Sequence, residues 1–170
     1  MKTLYLAGGC FWGTQRFLDQ FKGHGVLSTE VGYANGPTEN PSYEEVCDDA
    51  GHAETVKVSF DEEVMSAEAL LEFFFRSIDP TEVNHQGGDF GIQYRTGIWY
   101  EDEELSPAVE RAVRKEKRKL GLRAGKFAVE TGKLENFYPA EEYHQKYLVK
   151  HPAGYCHIDP KLFHLADTLE

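Results

Sequence analysis

The sequence predicts an α+β fold: a ferredoxin-like, two-layer β-α-β-β-α-β core with helices packed on the sheet and a long irregular C-terminal tail. Three observations predict it. Runs of strand length with buried or alternating apolar residues are separated by runs of helical spacing. Glycine and proline punctuate the boundaries between them. The 170 residues are 41% hydrophobic and 13% aromatic, enough for one core. No repeat or linker divides the chain, so residues 1–170 read as one domain, with about 138–170 as a C-terminal extension.

In chain order, Thr3 to Ala7 is a short buried strand running into Gly8-Gly9. Trp12, Arg16, Phe17 and Phe21 follow at helical spacing, and this helix should end near Gly23. Val26 to Gly32 reads as extended, and Gly36-Pro37 to Pro41 as a turn-rich loop. In Glu54 to Phe60, Val56, Val58 and Phe60 alternate, the pattern of a half-buried strand. Ser66 can cap a helix through Leu70, Leu71 and Phe74 that stops before Asp79-Pro80. After the Gln86-Gly87-Gly88 loop, Tyr94 to Tyr100 reads as a strand. Ser106-Pro107 opens a long helix that ends at Gly121. Lys126 to Glu130 is expected as another strand, and from Tyr138 a short helix leads into the tail.

Charge narrows the function classes. A formal net charge of −11 argues against nucleic acid, whose binders need clustered Lys and Arg. The basic run from Arg111 to Lys119 lies on the long helix among acidic neighbours and reads as a solvated face. Phe73-Phe74-Phe75 belongs to the longest apolar stretch, far short of the ~20 residues of a membrane span. No secretory leader is visible, and three scattered cysteines do not make an extracellular disulfide framework. A reducing, cytoplasmic setting, no membrane partner and a monomer are the expectations.

Gly8-Gly9-Cys10-Phe11-Trp12-Gly13 carries the most chemical information. Cys10 falls where a strand ends and a helix begins, so free backbone N–H groups and the helix dipole should lower its thiol pKa. The glycines allow a sharp turn, and Phe11 and Trp12 set two rings beside the sulfur as an apolar pocket. Read locally, other candidates stay open. Glu54 could be a salt-bridged strand end, Tyr43 and Tyr94 amphipathic fillers, and Asp89 the residue of an Asx turn. Cys47 reads as a buried structural thiol, His144 as a packing or hydrogen-bonding histidine, and His52 as part of a turn.

Four ordered blocks resemble the A-type peptide methionine sulfoxide reductases. They are Gly9-Cys10-Phe11-Trp12-Gly13; Pro41 to Cys47 with Gly51-His52-Ala53-Glu54; Asp79-Pro80-Thr81 with Gln86 to Arg95; and Phe137 to Gln145 with Gly154-Tyr155-Cys156. The resemblance implies that Cys10 attacks the sulfur of a methionine S-sulfoxide, free or in oxidised proteins, and that Phe11 and Trp12 hold its methyl group. It implies Glu54 as proton donor, Tyr43, Asp89 and Tyr94 around the sulfoxide oxygen, and Cys156 as the recycling thiol. Thioredoxin would be the reductant, with no cofactor and no metal. The chemistry is consistent. Charge grows on the oxygen as the S–O bond breaks, and a buried carboxylic acid can protonate it near neutral pH. A sulfenic acid left on one cysteine condenses with a second thiol, and dithiol exchange restores both.

Two departures from the family pattern stand out. Many members carry a further cysteine after the Gly-Tyr-Cys block, and here none follows Cys156, which implies a single Cys10–Cys156 disulfide. Asp48-Asp49-Ala50 also differs from the glycine- and threonine-containing loop usual there. The alternatives are another thiol catalyst (a peroxidase or a Cys-His hydrolase) and a zinc module of Cys10, Cys47, Cys156 and His52. A hydrolase needs a histidine base against the thiol, and zinc sites prefer close pairs that this sequence lacks.

Overall fold

Leu4 and Leu6 point to one side of the first strand, Tyr5 and Ala7 to the other, and all four are buried. That strand, β1 (Lys2–Gly8), runs through the middle of the sheet in a computed structural model that describes residues 1–169. Glu170, the last residue of the expected domain, lies outside the described residues. The fold is α+β, as predicted.

The elements continue with α1 (Phe11–Asp19), β2 (Val26–Ala34), α2 (Tyr43–Cys47), β3 (Ala53–Phe60) and α3 (Ala67–Arg76). A small hairpin of β4 (His85–Gln86) and β5 (Asp89–Phe90) precedes β6 (Thr96–Tyr100) and α4 (Ser106–Leu120). Then come β7 (Glu130–Lys133), β8 (Phe137–Pro139) and α5 (Tyr147–Lys150). Among the described residues, six strands share one sheet in the order β7-β6-β1-β3-β2-β8. All its pairings are antiparallel except β6 with β7.

One sheet face carries the main core. Leu4, Val31, Val56, Val58 and Ile98 pack there with side chains of α1, α3 and α4, such as Phe17, Leu70, Phe74 and Val109. On the other face Tyr5, Ala7, Ala34, Ala53 and Trp99 form a smaller cluster with Leu134 and Phe137 packed against it. Ser66 caps α3 by accepting from the Ala69 amide at 3.1 Å. The basic face of α4 meets α3 in ion pairs: Arg111 with Glu68, and Lys115 with Glu72 at 3.2 Å. The paired side chains remain largely exposed at the surface.

Several expectations change. The first helix ends at Asp19, and Gly23 sits in the turn beyond it at φ +86. β3 is buried at every position but Lys57, because β1 and β2 flank it on both edges. Tyr94 lies in a one-turn 3₁₀ segment, Ile92–Tyr94, ahead of β6. The strand expected at Lys126 to Glu130 begins at Glu130. A 3₁₀ segment, Gly121–Lys126, uses up the preceding chain, and Val129 enters the core. Helix α2 went unpredicted. Its Ser42–Glu45 capping box starts a single turn that buries Val46 and turns Cys47 outward. Cys47 is therefore exposed, against the expectation of a buried structural thiol.

The tail packs on α1. Ile158 and Ala166 are buried in the main core, the Arg16 guanidinium lies 4.7 Å from the Phe163 ring centroid, and Gln20 hydrogen-bonds Leu162 O and Ala166 N.

Candidate functional site

Gly8 ends β1, and Gly9 turns the chain at φ +90, a region open to glycine. Cys10 is then the N-cap residue of α1, as the strand-to-helix reading requires. Its side chain makes no cap hydrogen bond. The backbone N–H groups of Trp12 and Gly13 draw its pKa down, as expected for a helix start. Burial and the charge of Glu54 outweigh them, and the thiol stands well above its ordinary pKa. The expected depressed thiol is thus corrected. At 7% exposure, desolvation outweighs the dipole in the resting protein.

Glu54 comes from β3, one position after the strand enters the sheet, and is 1% exposed. Oε1 accepts a hydrogen bond from the Phe11 amide at 3.1 Å. Oε2 has no partner among the described residues. Burial pushes the carboxyl up to about 8, the Phe11 amide opposes that shift, and the charge of Asp89 adds to it. At neutral pH this group is mostly a carboxylic acid. The local reading of Glu54 as a salt-bridged strand end does not hold, since the carboxyl is buried and makes no ion pair among the described residues.

Tyr43 from α2 and Tyr94 from the 3₁₀ turn feel the same carboxyl. Both hydroxyls are pushed up, first by burial and then by Glu54, and Cys10 and Asp89 also act on Tyr94. Asp89, from the β4–β5 hairpin, keeps Oδ2 buried and without a hydrogen-bond partner among the described residues. Cys10, Glu54, Tyr43, Asp89 and Tyr94 therefore converge from five separate segments. Phe11 is buried between Tyr33 and His144, and partly exposed Trp12 stacks on Tyr147 at 3.7 Å between ring centroids and 11° between planes.

Cys156 is half-buried, packed against the main core, and in reach of the same junction. A Cβ added to Gly13 would stand 2.8 Å from Cys156 Sγ, so the bare backbone of α1 makes room for that sulfur. Burial pushes the Cys156 thiol up, and the Ile158 amide partly opposes this. Cys47 stands beside the Tyr43 hydroxyl, on the outer side of the cluster.

Sequence reasoning missed several supports. His144 is fully buried and accepts a hydrogen bond from Trp12 Nε1 at 2.9 Å, which suits its reading as a hydrogen-bonding histidine but puts it in the wall of the site. Glu141 ties Tyr33 and the Tyr43 amide together at 2.8 and 3.1 Å. Arg95 donates to the carbonyls of Gly51, Ile92 and Asn35 and pairs with Glu130 at 3.3 Å. Tyr147 follows His144 by three residues, but Gln145 is extended and Lys146 left-handed between them, so helical spacing does not link the pair. His52 is buried, with Nε2 2.9 Å from Thr38 Oγ1 and its ring filling the place of a Gly36 side chain. Among the described residues, no three His, Cys, Asp or Glu side chains are grouped to hold a metal ion. The ionisable partner acting most strongly on Cys10 is a carboxyl, not the imidazole that a Cys-His hydrolase uses.

A family model described as peptide methionine sulfoxide reductase matches residues 2–167. A relative from Lachnoclostridium phytofermentans, named peptide methionine sulfoxide reductase MsrA, is 52% identical over 162 residues, covering 92% of each chain. The crystal structure of reduced Mxr1 from Saccharomyces cerevisiae is similar at 37% identity and TM-score 0.81, over 91% of this chain and 88% of that one. Mxr1 in complex with Trx2 is similar at 28% identity and TM-score 0.55, over 86% and 84%.

Proposed function

The chain belongs to the peptide methionine sulfoxide reductase family, and from that premise we propose that it reduces methionine S-sulfoxide through Cys10, with thioredoxin as reductant. The observation that carries the site assignment is Glu54: a buried carboxylic acid with one oxygen unpartnered among the described residues, held by the amide of the residue after Cys10.

The scheme starts from neutral groups. Both Cys10 and Glu54 keep their protons at neutral pH, because ionising either would bury a charge beside the other. As Cys10 Sγ attacks the sulfoxide sulfur, negative charge grows on the oxygen, and Glu54 supplies the proton it needs. The thiol proton of Cys10 then replaces the one given up by Glu54. Tyr43 and Tyr94, held as neutral phenols, donate hydrogen bonds to the same oxygen. Asp89 lies at the edge of that oxygen site, while Phe11 and Trp12 wall the methyl group. The S–O bond of the substrate breaks as the protonated oxygen passes to Cys10 Sγ. The Sγ–S bond formed in the attack breaks with its electron pair returning to the substrate sulfur, and Cys10 is left as a sulfenic acid with methionine released as the thioether.

Cys156 then closes a disulfide with Cys10, and thioredoxin reopens it by exchange. In the same reading, residues 1–170 act as one unit with 138–170 as the extension carrying the recycling thiol. The strand order β6-β1-β3-β2 supports reading the core as ferredoxin-like, and three free cysteines suit a cytoplasmic setting. Giving the enzyme the two sulfoxide epimers separately, with thioredoxin, tests the scheme. Turnover of the S epimer and a Cys10–Cys156 disulfide by mass are expected, and turnover of the R epimer alone would refute the substrate assignment.

A further inference from the structure

Two buried polar atoms face one another beside this chemistry. His157 Nδ1 lies 3.7 Å from Asp89 Oδ2, and neither has a hydrogen-bond partner among the described residues. The His157 side chain is only 3% exposed. Its other nitrogen, Nε2, is 2.9 Å from the Gly8 carbonyl. A carbonyl can only accept, so Nε2 carries the hydrogen and donates it to the last residue of β1, two positions before Cys10.

The ring lies on backbone that no side chain covers. A Cβ on Gly9 would be 3.0 Å from His157 Nε2, and one on Gly13 would be 3.4 Å from His157 Nδ1 and 2.8 Å from Cys156 Sγ. The imidazole of residue 157 and the sulfur of residue 156 therefore rest side by side on the turn that presents Cys10. An apolar side chain could fill such a space without burying an unpaired nitrogen. The polar ring is retained where the recycling thiol joins the nucleophile loop.

We propose that His157 is a positioning residue for the regeneration of Cys10, clasping the Cys156 segment to the Gly8 carbonyl. The inference rests on the reading in which Cys156 closes the disulfide. In that step Cys156 Sγ attacks the sulfur of the Cys10 sulfenic acid. The S–S bond forms, the S–O bond breaks, and the hydroxyl leaves as water with the proton of the Cys156 thiol. His157 touches no reacting atom. It fixes the path by which one sulfur meets the other.

Two variants of similar polarity separate this role from space filling. In His157→Gln the terminal amide nitrogen takes the place of Nε2 and can still donate to Gly8, whereas the shorter His157→Asn side chain stops short of it. Each reduced enzyme is mixed with one equivalent of the S-sulfoxide of N-acetylmethionine, and rapid quenching reads released thioether and disulfide mass separately. Thioether release should stay within about threefold of wild type in both variants, while disulfide closure slows about tenfold in His157→Asn, the loss of one buried hydrogen bond, and largely recovers in His157→Gln. Wild-type closure in His157→Asn, equal slowing of both steps, or a glutamine variant no better than asparagine would overturn the proposal. A wild-type enzyme that forms no Cys10–Cys156 disulfide would overturn it too, by removing its premise, and that result is read from the control alone.

Discussion

The amide of Phe11 donates to one oxygen of the Glu54 carboxyl at 3.1 Å, while the other oxygen of that carboxyl is buried with no partner among the described residues. The bonded oxygen fixes the group against the turn that carries Cys10, and the second is the one that donates the proton in the proposed scheme. Replacing Glu54 with Gln keeps the shape and removes the acid. The single-turnover rate of sulfoxide reduction at pH 7 should fall by about 10²–10⁴-fold, while Cys10 remains titratable by thiol reagents. In the wild type that rate should drop as pH rises through about 8, where Glu54 loses its proton. A rate unchanged in the variant would assign the proton to another group.

The same burial has a cost in stability. Below pH 4.5 the carboxyl is protonated in folded and unfolded chains alike, so it costs nothing. Between 4.5 and about 8 the unfolded chain releases the proton while the folded one keeps it, so stability falls as pH rises. At pH 7 the penalty is about 3 kcal/mol, taking roughly 1.4 kcal/mol for each pH unit above 4.5. Glu54→Gln should therefore be more stable than wild type in urea at pH 7, and the gain should shrink to near zero at pH 4. Equal midpoints at pH 7 would mean that the carboxyl is not held neutral.

Gly13 stands under the Cys156 sulfur, where an added Cβ would lie 2.8 Å from Sγ. In Gly13→Ala, overpacking of about 1–3 kcal/mol is partly offset by about 1 kcal/mol of helix propensity, so a net loss of about 0–2 kcal/mol is expected. Disulfide closure should also slow about tenfold, because the sulfur is displaced from its seat. Stopped-flow thiol counting checks this. Closure at the wild-type rate would mean that Cys156 reaches Cys10 from elsewhere.

Arg95 holds three loops at once through the carbonyls of Asn35, Gly51 and Ile92. Arg95→Lys keeps the charge but loses the planar fork, and should cost about 1–3 kcal/mol in a urea melt. Tyr94 and the chain leading to Glu54 border those loops, so reduction should slow as well. A variant with wild-type stability would show that the carbonyls find other donors.

Local signals in the sequence reach as far as local physics does. Ser66, Ser106-Pro107 and Gly121 mark α3 and α4 almost to the residue, because caps and breakers act within one turn. The Gly-Gly-Cys junction likewise places Cys10 at the start of α1. Quantities set by distant chain segments are not legible there. The Cys10 pKa moves up because β3 brings Glu54 beside it and the fold shuts out water, whereas the sequence shows only the helix start. Cys47 turns outward because a one-turn helix spends its buried position on Val46. The side chains of Asp89 and His157, 68 residues apart by their numbers, meet only in the folded chain. Resemblance to a family locates Glu54, Tyr43 and Tyr94 where local reading leaves them as ordinary surface or core residues.

The most direct measurement uses the Cys156→Ser enzyme, fully reduced and mixed with an excess of methionine S-sulfoxide in the absence of other thiols. Intact mass and peptide mapping should find one oxygen added at Cys10, trapped by dimedone, together with a single equivalent of methionine and then no further turnover. Methionine released with Cys10 unmodified, or continued turnover with thioredoxin as the only reductant, would contradict oxygen transfer to Cys10 and its recovery through Cys156.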